Sequence, residues 1–250
     1  MSGHSHYATI KRQKGLKDAS KGKLFSKLSR IISVAIKDGG GANPESNHKL
    51  RMAIETARAA NMPKDNVDRI LKHAEEKAND VQEVVYEGFG PSGVAVIVLT
   101  ITDNKNRTSQ EIKNIFERGG GSLGGPGSVS FNFTPSGLIL VKKIPEKVEE
   151  QLLKLIDVGV EDLEEVDDSI ELYVSHDKMR EVAEVVRSFG YEIVSQDLVQ
   201  RPKNYLVVKD VGGANKILNF LNILDEQDDV QKVFANVDIP DEILAEISHP

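Results

Sequence analysis

Apolar residues recur at helical spacing from Lys23 onward. Leu24, Leu28, Ile31 and Ala35 fall at i, i+4, i+7 and i+11, which predicts an amphipathic helix from residue 23. The triplet Gly39-Gly40-Gly41 stops it, because glycine enters the left-handed conformation of a helix terminus at little cost. A second helix is expected to bury Leu50, Ala53, Ile54 and Ala57. A third, opened by Pro63 at its first position, buries Val67, Ile70, Leu71 and Ala74. None of these stripes can be hidden by one short helix, so the three are expected to form a bundle over residues 23–80. Residues 1–22 show no apolar period and read as an extended arm.

Beyond Asp80 the pattern changes to strands. Val94–Leu99 is a buried-strand run, preceded by an extra strand over Glu83–Phe89. A helix over Asn106–Arg118 turns Ile112, Ile115 and Phe116 inward, and Ser128–Phe133 alternates as a strand. Next come a strand at Leu138–Val141, a helix at Pro145–Asp157 (Val148, Leu152, Leu155 and Ile156 inward), strands at Leu163–Val166 and Ile170–Val174, a helix at Asp177–Phe189 and a strand at Glu192–Val199. That order is βαββαβ, the ferredoxin-like arrangement. A further βαβ follows: Tyr205–Val208, a helix carrying Ile217, Leu218, Leu221 and Leu224, then Val230–Val237. Two βαβ halves flanking a complete βαββαβ predict a second ferredoxin-like sheet interrupted by the first. The expected class is α+β, a three-helix N-terminal bundle followed by two ferredoxin-like domains, one inserted in the other. The boundaries expected are 1–22 (arm), 23–80 (helical), 81–134 plus 203–240 (discontinuous), 135–202 (inserted) and 241–250 (tail).

Charge changes the picture. The chain of 250 residues has a net charge of −7, yet its first 37 residues hold nine Lys/Arg against one acid, Asp18. Residues 1–80 carry net +7 and residues 81–250 net −14. A polyanion is attracted to one end and repelled by the other, which points to nucleic acid as partner and to the N-terminal segment as the contact. Lys11, Arg12, Lys14, Lys17 and Lys21 supply phosphate-binding cations, and Tyr7 supplies a stacking ring. Lys23, Lys27 and Arg30, with Lys37, share one sector of the first helix and extend the same charge. His4 and His6 form an H-x-H pair with no carboxylate or cysteine near it in sequence. They read as polar contacts to nucleic acid rather than metal ligands. Thr102–Thr108 is dense in hydrogen-bonding groups. Asp103 or Asn104 can cap the following helix, while Asn104, Asn106 and Arg107 also suit a secondary contact to RNA or protein.

Other chemistries find little support. There is no cysteine, so thiol nucleophiles, disulfides and Cys-ligated zinc are excluded. The Gly-rich stretches at 39–41 and 119–125 lack the strand–loop–helix setting and the Gly-Lys-Ser/Thr of a P-loop, and read as a helix stop and a flexible connection. The acids of Glu161–Asp168 alternate with Leu163 and Val166 and are expected to face water. No Ser/His/Asp set stands out, so an enzyme, a cofactor, a metal and a small-molecule substrate are not expected. The longest apolar run, Val94–Leu99, is far too short to span a membrane.

Several motifs carry a family resemblance. They are Gly3-His4-Ser5, Lys21–Leu28, Gly39–Pro44, Ala57–Asn66, Tyr86–Pro91, Thr102–Thr108, Gly127-Ser128-Val129 and Asp238-Ile239-Pro240. Together they cover essentially the whole chain and resemble the YebC/PmpR family. The match begins at Met1, so the basic segment is expected to belong to the working protein and not to a cleaved leader. One departure is Ser5-His6-Tyr7 where the family commonly has Ser-Lys-Trp. The resemblance implies a helical domain plus two ferredoxin-like domains and a cytoplasmic, non-enzymatic regulator of gene expression. It implies DNA as the partner for a transcriptional regulator, or ribosomal RNA for a translation factor that relieves stalling at proline stretches. The sequence leaves the oligomeric state open.

Overall fold

The computed structural model describes residues 21–77, 81–166 and 168–248. The chain folds as two compact units: the segment through Ser130 together with Tyr205 onward, and Phe131–Asn204 between them.

The first unit opens with three helices, α1 (Lys21–Asp38), α2 (His48–Ala59) and α3 (Lys64–Lys77). Their shared core is Leu28, Ile32, Ala35 and Ile36 from α1, Leu50, Ala53, Ile54 and Ala57 from α2, and Met62 and Val67. Of the expected stripe, Leu28 and Ala35 are buried and Ile31 packs against the core; Ile32 and Ile36 widen it, and Leu24 is 40% exposed. Helix α3 starts one residue after Pro63, whose carbonyl accepts from Asn66 N at 3.0 Å.

The α1–α2 corner is organised by Asn47, 2% exposed. Its amide donates to the carbonyls of Ala35 (2.8 Å) and Gly41 (2.9 Å), and its Oδ1 accepts from Leu50 N (3.0 Å). One side chain thus closes the end of α1 and caps the start of α2. A Cβ on Gly39 would collide with that amide at 2.0 Å, while Gly40 takes φ +81°. The glycine triplet therefore serves both close approach and the left-handed turn.

The same unit contains β1 (Gln82–Phe89), β2 (Ala95–Thr102), α4 (Lys105–Arg118) and β3 (Ser122–Leu123). After the second unit it resumes with β8 (Leu206–Val207), α7 (Val211–Glu226), β9 (Val230–Ala235), β10 (Val237–Asp238) and α8 (Asp241–Ser248). The sheet order is β3-β1-β2-β9, antiparallel throughout, and β8 pairs with β10 in a separate two-stranded parallel sheet. This corrects the expected pairing of two βαβ halves. The extra strand β1 occupies the position next to β2, and β8 does not join. Val94, Val96 and Val98 face Ile112 and Phe116 of α4 and Ile217, Phe220, Leu221 and Leu224 of α7. The expected tail is helical, because Ile243, Leu244 and Ile247 fall on one face and pack on this core.

The expected strand at Ser128–Phe133 is a second correction. A single 3-10 turn covers Ser130–Asn132, Phe131 is 70% exposed, and strand pairing begins only at Phe133. The cause is Glu87, a buried carboxylate of β1. Its Oε1 accepts from Gly127 N (2.9 Å), and its Oε2 from Val129 N (2.9 Å) and Ser130 N (2.8 Å). Those donors are occupied and cannot enter a ladder. Gly124 N also donates to the Glu87 carbonyl at 2.8 Å. The glycine-rich loop is therefore pinned rather than a flexible connection.

The second unit runs β4 (Phe133–Lys142), α5 (Val148–Ile156), β5 (Asp162–Val166), β6 (Ser169–Val174), α6 (Met179–Ser188) and β7 (Ile193–Pro202). Its antiparallel order β5-β6-β4-β7 is that of a ferredoxin-like sheet. Ile139, Val141, Ile170, Leu172 and Val174 pack beneath Leu155, Val182, Ala183 and Val186. The expected helix at 145–157 begins with a 3-10 turn at Pro145–Lys147, and Ile156 is 57% exposed. Gln151 is buried in this helix, accepting from Ile144 N and donating to Lys142 O, both at 3.0 Å. The acids of β5 do not simply face water. Asp162 and Glu164 pair with Arg201, whose guanidinium stacks 4.3 Å over the Tyr173 ring. Overall the chain is α+β, with N-terminal helices followed by antiparallel sheets.

Candidate nucleic-acid interface

His4, His6, Tyr7, Lys11, Arg12, Lys14 and Lys17 lie outside the described residues. Lys21 opens α1, and its side chain is likewise outside the description.

The three cations on the body of α1 have definite partners, at the C-terminal end of α7 and in the turn that follows it. Lys23 Nζ donates to the Glu226 carbonyl at 3.4 Å. Lys27 Nζ donates to the Asp225 carbonyl at 2.8 Å and lies 3.6 Å from the Asp225 carboxylate. Arg30 donates to the Asp228 carbonyl and lies 3.1 Å from Asp229 Oδ1. A helix C-terminus leaves its last carbonyls without intrahelical partners and carries partial negative charge, so ammonium and guanidinium groups cap it well. Lys37, in the same sector, donates to Val81 O at 2.9 Å.

Asp229 is the hub of this end. It is 1% exposed, and its Oδ2 accepts from Thr108 Oγ1 (2.6 Å), Arg107 Nη2 (2.9 Å) and Thr102 Oγ1 (3.3 Å). Burial alone would raise its pKa. The Thr108 hydroxyl, the Arg107 guanidinium and the charge of Arg30 outweigh burial and hold the carboxyl below its ordinary value. Asp229 Oδ1 has no hydrogen bond of good geometry, although Arg30 stands at ion-pair distance. We take this as a Coulombic contact.

The Thr102–Thr108 stretch is thereby explained. Asn104 caps α4, its Oδ1 accepting from Arg107 N at 3.1 Å. Arg107 bridges Asp103 and Asp229, both at 2.9 Å, and Thr102 and Thr108 reach Asp229. Asn106 is exposed. Around Arg30, Arg107, Asp228 and Asp229 lies an open cleft of about 550 Å³, also lined by Glu111, Glu226 and Gln227. Its carboxylates suit the chain's own cations and repel phosphate.

Elsewhere on the bundle charge is mixed. Lys49 pairs with Asp38 (3.4 Å), Arg51 donates to Glu45 O (3.2 Å) and Arg69 to Asn66 (3.4 Å). Among the described residues no group of His, Asp and Glu is arranged to hold a metal ion. None of their helices is long and apolar enough to cross a membrane. Sequence reasoning missed Glu87, Asn47 and Asp229 as organising groups. For Glu87 and Asn47 the available signal was a single polar residue near a glycine-rich turn; Asp229 meets Thr108 across 121 positions, with no local signal.

Comparison with known proteins agrees with this architecture. Residues 5–77 match the N-terminal domain of the TACO1/YebC protein, and residues 81–237 match the TACO1/YebC second and third domain. A protein of Dictyoglomus turgidum is 46% identical over 99% of this chain and 100% of its own length. One of Thermotoga maritima is 44% identical over 99% and 98%. Both are named probable transcriptional regulatory proteins. The crystal structure of a conserved hypothetical protein from Aquifex aeolicus superposes with a TM-score of 0.80 at 43% identity, covering 91% of this chain and 94% of that one. A chain matched along both its helical and its sheet-bearing parts belongs to the TACO1/YebC family, whose bacterial relatives here are named as regulators.

Proposed function

We propose that this protein is a cytoplasmic, non-enzymatic regulator of gene expression that grips nucleic acid through its basic N-terminal segment. His4, His6, Tyr7, Lys11, Arg12, Lys14, Lys17 and Lys21 form the primary contact. Lys23, Lys27 and Arg30 continue it along α1, with Asn104, Asn106 and Arg107 as a secondary contact. The observation that carries this reading is the charge asymmetry. Nine Lys/Arg against one acid lie in the first 37 residues, ahead of a remainder whose net charge from residue 81 is −14. DNA is the first target considered, because the relatives are named probable transcriptional regulatory proteins and transcription is regulated on DNA.

Ribosomal RNA is the second reading, and one observation favours it. Helices α2 and α3 carry cations interleaved with acids, and the cations of α1 sit on α7, so none offers an all-cationic face for a DNA groove. A cationic segment ahead of an acidic body suits a folded RNA cavity instead.

Binding titrations at several salt concentrations test the proposal. With five or six phosphate contacts on duplex DNA the log–log slope is about −5, and Lys11→Ala, Arg12→Ala and Lys14→Ala together reduce its magnitude by about 3. Co-sedimentation with ribosomal subunits, alongside weak duplex binding, selects the RNA reading. Unchanged affinity in the triple variant for both targets refutes the segment as the contact.

A further inference from the structure

We infer that the acidic end of α7 acts as an internal stand-in for phosphate, holding α1 in a docked state that bound nucleic acid displaces. The inference rests on the proposed function and deepens it, because Lys23, Lys27 and Arg30 cannot serve a phosphate backbone and α7 at once. Five acceptors imitate the phosphate line: the carbonyls of Asp225, Glu226 and Asp228, and the carboxylates of Asp225 and Asp229.

Three features make this contact reversible. First, the helical bundle has its own core, separate from that between the β3-β1-β2-β9 sheet and helices α4 and α7, so release leaves Leu28, Ile32, Ala35 and Ile36 covered by α2 and α3 and uncovers only the contact that α1 makes with β2. Second, Asp229 is doubly paired. When Arg30 leaves Oδ1, Arg107 and Thr108 still hold Oδ2, and no buried charge is abandoned. Third, the lysine contacts lie at the last turn of a helix, exposed for Lys23 and half-buried for Lys27, where water can replace the ammonium groups. A ligand shifts such an equilibrium only through its differential affinity for the two states, and three additional cations become available to it only after release. Coupling is reciprocal, so weakening the docked contact must tighten nucleic-acid binding.

The test uses the full chain. Because it contains no cysteine, Glu55→Cys on α2 and Asn222→Cys on α7, both exposed, place a donor and acceptor dye uniquely. Poly(U) RNA and a random-sequence DNA duplex serve as probes, with anisotropy reporting binding and energy transfer reporting docking. Transfer is expected to fall in step with anisotropy for whichever probe binds. Asp225→Asn is expected to lower transfer in the free protein and to raise probe affinity about two- to fivefold. Glu184→Gln on α6, in the Phe131–Asn204 unit, makes the same change in net charge outside the contact between α1 and α7 and is expected to leave both unchanged. Binding to saturation with constant transfer overturns the inference while leaving the proposed function standing. Equal affinities of Asp225→Asn and Glu184→Gln also overturn it. Absence of binding to either probe and to ribosomes overturns both.

Discussion

Replacing Glu87 by Ala removes the acceptor for three backbone donors at once. Val129 N is buried, while Gly127 N and Ser130 N are partly hydrated. Taking about 1–3 kcal/mol for the buried donor and about 1 kcal/mol for each of the other two, the substitution costs about 3–5 kcal/mol. Glu87→Gln keeps one acceptor oxygen but turns an amide N–H toward a backbone N–H, so it is expected to cost less, about 1–2 kcal/mol. Urea unfolding followed by circular dichroism measures the difference. Hydrogen exchange locates it, with protection lost at residues 127, 129 and 130 first. Acid adds a second reading of the same group. Burial would raise the Glu87 pKa, but the donors of Gly127, Val129 and Ser130 outweigh it and hold the carboxyl below its ordinary value. A depressed folded pKa means this stabilisation is fully present above the unfolded value of about 4.3 and is lost as pH falls through the lower folded value. The acid limb of the stability curve should therefore flatten in Glu87→Gln. An Ala variant as stable as the parent, with unchanged exchange in the loop, would refute the account of Glu87 as the clasp.

Further outcomes are expected elsewhere. Asn47→Ala should destabilise by about 2–3 kcal/mol, from a lost cap plus lost donors to two carbonyls, of which Ala35 keeps Gly39 N, read by urea unfolding; Asn47→Asp should restore only the cap. Gly121→Ala should destabilise strongly, because its Cβ would lie 2.2 Å from the Phe89 carbonyl oxygen. Gly125→Ala, with open space around it, should change stability by less than about 0.5 kcal/mol in the same urea titration. Loss of three arm cations should flatten the salt dependence of nucleic-acid binding, as set out above.

The amphipathic stripes of α2 and α7 and the βαββαβ order were legible because apolar spacing alone decides which face is buried. Ile217, Leu218, Leu221 and Leu224 are buried as expected, and so are Leu50, Ala53, Ile54 and Ala57. The failures share one cause. At Ser128–Phe133 the alternation is that of a strand, yet a carboxylate forty positions upstream claims the backbone donors. At Gln151 a polar side chain fills a core position because two backbone groups of the preceding strand connection need it. The cationic sector of α1 was readable as charge, but the partners of Lys27 and Arg30 are nearly two hundred residues distant. Periodicity carries no information about such pairings.

The Phe220 ring packs edge-on against Phe116, with centroids 5.1 Å apart, and fills the space that a Cβ on Gly90 or Gly119 would need. The turns after β1 and after α4 are thus moulded on a residue about a hundred positions downstream, and β2 meets β9 only after the whole Phe131–Asn204 unit has been made. During synthesis the helical bundle can settle early on local contacts alone. The sheet behind it must wait, half-built, until the last fifth of the polypeptide leaves the ribosome.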